Sequence, residues 1–133
     1  MRKYGIDSNR FVAISTGNVK EAQAWVVLAD GSRRPDPNNR QEVDEQGRKL
    51  WRVEAILPAD PTDDRDKTET VEITVAGDQP NVGSFGDRLH LDGLWMIPGY
   101  VNRRTGQLTA PRFMADGARP VGGAAPRPNK DAA

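Results

Sequence analysis

The sequence predicts an all-β fold. Its apolar clusters are short and rich in β-branched and aromatic residues, and the clearest of them alternate apolar with polar side chains. Gly and Pro (13 and 10 of 133 residues) punctuate the chain between those clusters. Only 36% of residues are hydrophobic, which leaves a lean core and a large share of loop and terminus.

Phe11-Val12-Ala13-Ile14 reads as a first short strand, stopped by Ser15-Thr16-Gly17-Asn18. Ala22 to Ala29 follows. A helical start over 19–24 competes there, but Trp25-Val26-Val27 favours a strand that ends at Asp30-Gly31. Ser32 to Lys49 is polar and carries turn signals at Pro35, Pro37-Asn38-Asn39 and Gln46-Gly47, so it reads as a long loop. Leu50 to Leu57 is a strand with Trp51, Val53, Ala55 and Leu57 on one face and Arg52 and Glu54 on the other.

Pro58 to Lys67 is an exposed acidic loop. Thr68 to Val75 alternates most cleanly, with Val71, Ile73 and Val75 inward and Glu72 and Thr74 outward. After a Gly/Pro/Asn loop over 77–86, Asp87 to Ile97 is the longest strand, placing Leu89, Leu91, Trp95 and Ile97 on one face. Gly93 in its middle marks a bulge or bend. Asn102 to Gly106 is a hairpin turn, and Gln107 to Met114 is a last strand whose Pro111 suits an edge or bulge.

These elements predict a flexible N-terminus over 1–9, one β domain over 10–116, and a disordered basic tail over 117–133. Five or six mostly antiparallel strands around a small core favour closure, because closure removes exposed edges. The expected architecture is a small oligonucleotide/oligosaccharide-binding (OB)-like barrel with long loops. An open β-sandwich and a pleckstrin-like half barrel are the alternatives.

Nineteen basic and 19 acidic side chains cancel, which argues against coating duplex DNA by charge alone. The chain has no cysteine, so disulfides and thiolate metal sites are excluded and a reducing compartment is expected. Met1 to Arg10 has no apolar run of the secretory kind. The longest apolar run, Trp25 to Ala29, is too short to span a bilayer, so a cytoplasmic protein with no membrane partner is expected.

Catalytic constellations are not found. His90, the one histidine, sits on a strand between Leu89 and Leu91 with no nucleophile motif around it. Asp60, Asp63, Asp64 and Asp66 could clasp a hard cation, but an EF-hand loop counted from Asp60 would need Gly where Arg65 stands and Glu where Val71 stands. Gly83-Ser84-Phe85-Gly86 lacks the Lys-Ser/Thr of a phosphate loop. The expectation is a protein that is not an enzyme and takes no metal or cofactor.

A binding signal is local. From Tyr100 to Lys130 the basic residues are Arg103, Arg104, Arg112, Arg119, Arg127 and Lys130, against the single acid Asp116 on this side of Asn129. Trp95, Tyr100 and Phe113 lie in or beside that segment, and Trp51 adjoins Arg52. Stacking platforms interleaved with cations are what a single-strand binder needs. The candidate nucleic-acid-binding residues are Arg52, Trp95, Tyr100, Arg103, Arg104, Arg112 and Phe113. Trp51 and Trp95 also fall on apolar strand faces, where a core role competes.

From Arg40 to Pro120 several stretches carry a resemblance: Asp44-Glu45-Gln46-Gly47-Arg48-Lys49-Leu50-Trp51-Arg52-Val53, Glu72-Ile73-Thr74-Val75, and Val82-Gly83 through Leu91-Asp92-Gly93-Leu94. Arg103-Arg104-Thr105-Gly106 leading to Phe113-Met114-Ala115 completes it. The chain thereby resembles small OB-fold-like accessory proteins of actinobacterial plasmids and integrative conjugative elements. The resemblance implies a role in replication or transfer of a mobile element, and no catalytic residue follows from it. The leading expectation is a single-stranded DNA-binding accessory protein. The alternative is a protein-interaction module that docks a replication or transfer protein through an edge strand or the Ser32–Lys49 loop.

Overall fold

The computed structural model describes residues 3–121. They are all-β, with no helix. Ten strands appear: β1 (Tyr4–Gly5), β2 (Ala13–Glu21), β3 (Trp25–Val27), β4 (Arg33–Pro35), β5 (Leu50–Leu57), β6 (Glu69–Ala76), β7 (Arg88–Asp92), β8 (Trp95–Ile97), β9 (Arg112–Ala115) and β10 (Gly117–Pro120). Eight of them form one curled, half-barrel sheet in the order β1-β8-β9-β6-β5-β2-β7-β10, and β3 and β4 make a separate ribbon.

The count exceeds the five or six expected because two long strands are bent and short segments pair at the margins. β7 and β8 face β10 and β9 in one unbroken antiparallel register, from Leu89 opposite Pro120 to Ile97 opposite Arg112. They form a single hairpin folded at Gly93 and Asp116. One half of it pairs β9 in parallel with β6, and the other pairs β7 antiparallel with β2. The ladder β2-β5-β6 is thus joined at both sides by the same hairpin.

Alternation is what builds the interior. Val53 and Ala55 of β5, Ile73 and Val75 of β6, and Leu89 and Leu91 of β7 share one buried cluster with Ala13, Leu94 and Ala115. Each fully buried Val, Leu or Ile contributes about 1.5–3 kcal/mol against exposure. The bend shifts this alternation by one residue. Leu89 and Leu91 point in, Gly93 takes φ 59, and the next buried residue is Leu94. Trp95 therefore turns outward, against the expectation that it shares a face with Leu89 and Leu91.

Other segments also depart from expectation. β2 runs through the Ser15–Asn18 stop because its register against β5 shifts between Ser15 and Val19, with Gly17 at φ 85. The Ser32–Lys49 loop is partly structured: β4 lies in it, and Gln23–Gln41 and Val43–Lys49 bridges tie it down. Tyr4 and Gly5, within the stretch read as a flexible N-terminus, pair with β8. Gly117 to Pro120, the start of the expected tail, is β10. The remainder of that tail, 122–133, lies outside the described residues.

Candidate nucleic-acid interface

Directly paired residues in a ladder present their side chains on the same face. Lys20 opposes Arg52, Arg52 opposes Thr74, Thr74 opposes Met114, and Met114 opposes Trp95. These five form a row across the outside of the curled sheet. Its charges are largely compensated. Glu72 lies 3.5 Å from Lys20 and 3.7 Å from Arg52. Glu54 accepts hydrogen bonds from the Asn18 amide and the Thr16 hydroxyl, both at 2.9 Å, which hold its carboxyl below the usual range. The middle of the outer face of β5 and β6, at Arg52, Glu54 and Glu72, is therefore polar and near neutral.

Two arms leave the sheet at the ends of its strands. The first spans 98–111, between β8 and β9. Tyr100 and Thr109 bind each other twice, through Thr109 N–H to the Tyr100 carbonyl (2.8 Å) and Tyr100 N–H to the Thr109 hydroxyl (2.9 Å). At the tip, Oδ1 of Asn102 accepts the Arg104 N–H at 2.9 Å. Arg103 and Arg104 are exposed there, and Tyr100 is 53% exposed. No acidic residue occurs from Pro98 to Ala115. Among the described residues, no carboxylate pairs with Arg103, Arg104 or Arg112.

The second arm is the β3–β4 ribbon. Trp25 is 43% exposed, and the Arg33 guanidinium lies 5.8 Å from its ring centre, within cation–π range. Arg34 is also exposed but, paired with Val26, projects to the other face of the ribbon. The base of the ribbon is pinned by Asp36, which is buried. Its carboxylate accepts the Arg40 Nε–H at 2.5 Å and the Asn38 N–H at 2.9 Å. Arg40 and then Asn38 hold that carboxyl below its ordinary value of 3.8. The Asp36 N–H donates to the Ala24 carbonyl at 2.9 Å, and the Ala24 N–H to the Arg40 carbonyl at 3.0 Å.

Register places the arms at opposite ends of the outer face. β2 ends at Glu21, whose partner Trp51 pairs with Val75 near the end of β6. The other arm leaves at Ile97 and returns at Arg112, one residue before Phe113, the partner of Ile73. Since β9 runs parallel to β6, residues before Arg112 head toward the start of β6.

Of the residues singled out from sequence, Tyr100, Arg103, Arg104 and Arg112 come together on the first arm and its base. Arg52 lies on the outer face but faces Glu72. Trp95 also lies outside, with the Lys3 ammonium 3.3 Å above its ring. Phe113 turns inward, half-buried, and packs at a tilt on Phe11 with ring centres 5.3 Å apart. It is core, not a platform, because it shares the inward phase of Ala115. Trp51 is also inward-facing and half-buried, its Nε1–H donating to the Gly77 carbonyl at 2.8 Å. His90 lies 3.1 Å from Asp92 on the hairpin. Asp60, Asp63 and Asp66 serve largely to accept loop N–H groups.

Sequence reasoning missed Trp25, Arg33 and Arg34. The available signal was Asp30-Gly31 between Trp25-Val26-Val27 and Arg33-Arg34, two flanks a hairpin would pair.

Comparison with protein-family models, curated proteins and solved structures finds no match for this chain.

Proposed function

We propose that this chain is a non-catalytic accessory domain that binds single-stranded DNA between its two arms. The observation that carries the reading is the recurrence of one chemistry on both arms: an exposed aromatic with exposed arginine, Tyr100 with Arg103 and Arg104, and Trp25 with Arg33 on its own face of the ribbon. Bases stack on the aromatics while arginines pair with phosphates, and every base has a face to stack.

The fold reading that accompanies it is an OB-type barrel of five long strands: β2, β5, β6, bent β7–β8 and bent β9–β10. The parallel β6–β9 pair and the antiparallel β2–β7 pair support it. In such barrels the second and third strands and the loops L12 and L45 bind oligonucleotides, and the arms are those two loops. A setting in replication or transfer of a mobile element rests on the resemblance of the sequence stretches alone, and a place inside the cell on the absence of cysteine.

A second reading, docking of a replication or transfer protein, is favoured by apolar side chains on the same arms. Val27 is 70%, Val101 61% and Leu108 74% exposed. Fluorescence anisotropy with labelled single- and double-stranded oligonucleotides at two ionic strengths separates the readings. Single-strand preference that weakens with salt supports the first. No binding to either supports the second.

A further inference from the structure

A groove of about 410 Å³ lies on the outside of the curled sheet, away from both arginine pairs. Its floor is apolar: Leu50, Ala76 and Ile97 are buried, and Met114 and Trp95 are half-buried. Leu50 and Ala76 face outward by strand parity and form a small cluster with Ala22, separate from the main core. The segment from Glu42 to Arg48 walls one side.

Among the described residues the rim is acidic once its cations are accounted for. Arg48 binds Asp44 at 2.8 Å and Asp116 at 3.3 Å. Lys3 covers Trp95. Glu42 and Glu45 make no ion pair among the described residues. Uncompensated carboxylates beside an apolar floor repel phosphate and attract cations that carry apolar neighbours. Lys3 shows the accommodation in miniature: an extended segment, continuing into β1, lays its ammonium on the Trp95 ring.

We infer that this groove is a second site, which takes a basic, extended peptide segment of a partner protein. An apolar side chain of that segment packs on Met114 and Leu50, and its Lys or Arg side chains pair with Glu42 and Glu45. The site shares no residue with the arms, but Thr74, Met114 and Trp95 on its floor belong to the outer face between them, so the peptide is tested without oligonucleotide present.

The test uses the full chain, a fluorescein-labelled peptide Lys-Arg-Leu-Phe-Arg-Lys, and a counterpart with Glu at every basic position. The basic peptide binds saturably and the acidic one does not. Glu42→Lys/Glu45→Lys weakens the basic peptide about tenfold, as loss of close interfacial charge pairs does. Thr74→Arg, which fills the groove from its floor, gives a comparable loss with an unchanged melting midpoint. Arg103→Ala/Arg104→Ala leaves peptide binding intact. Absence of saturable binding, equal affinity for the acidic peptide, or indifference to Glu42→Lys/Glu45→Lys overturns the inference.

Discussion

Gly93 faces the carboxylate of Asp116 so closely that a Cβ there would stand 2.5 Å from Oδ2. Its φ of 59 lies in the left-handed region, where an L side chain adds strain of its own. The exposed Asp116 carboxylate can swing aside, so it is the left-handed φ that makes the bend favour glycine. Gly93→Ala is expected to cost about 1–3 kcal/mol in urea unfolding. Gly5→Ala, with nothing within 4 Å of its would-be Cβ, serves as the control and changes little.

Stability falls in acid. Hydrogen bonds hold five carboxyls below their ordinary values: Ser32 acts on Asp30, Arg40 and Asn38 on Asp36, Asn18 and Thr16 on Glu54, and Thr62 on Asp60, with Asp44 the fifth. At Asp44, burial pushes upward but is outweighed by the Arg48 and Gln46 N–H groups and the Arg48 guanidinium. A carboxyl whose folded value is depressed adds stability that is full above its unfolded value and lost as pH falls through the folded one. Melting midpoints should hold from neutral pH down to about 5 and fall below about 4. Asp36→Asn/Glu54→Gln should flatten that fall.

The arms should carry the salt dependence. Arg103→Ala/Arg104→Ala removes two phosphate contacts, so the slope of log K against log salt for a single strand should shrink by about 1.4. Tyr100→Ala and Trp25→Ala should each cost about 1–3 kcal/mol of oligonucleotide affinity with the slope unchanged. Titrations at several salt concentrations measure both.

Phe113 should behave as core. Phe113→Ala is expected to cost about 3 kcal/mol of stability, the low end for a Phe-to-Ala change because the ring is half-buried. Its effect should be non-additive with Phe11→Ala, since the two rings touch. Oligonucleotide affinity of the folded variant should stay at the parent value.

Where alternation was regular, the fold was legible. Leu50 to Leu57 is β5, and the inward set Val71, Ile73 and Val75 of β6 was read directly. Gly93 was legible as a bend, but not its consequence: a single left-handed residue reversed the phase and moved Trp95 from the core face to the outside. β1, β4 and β10 were not legible, because Tyr4-Gly5, Arg33-Arg34-Pro35 and Gly117-Ala118-Arg119-Pro120 are too short and polar to show a period. Their pairing is set by long-range partners. Of the candidate site, the Tyr100–Arg112 segment could be read from its charge and turn. Its counterpart on the β3–β4 ribbon is hidden because the sequence places Trp25 in a strand over Ala22–Ala29 and Arg33 in the Ser32–Lys49 loop, with no sign that the two pair.

Backbone amide shift mapping with a short oligothymidylate tests the two-arm account most directly. Residues 23–41 and 98–112 are expected to shift together, saturating at one concentration, while inward residues such as Val53 and Ile73 stay in place. Shifts confined to one arm or to the groove beside Trp95, or no shifts at saturating oligonucleotide, would contradict it.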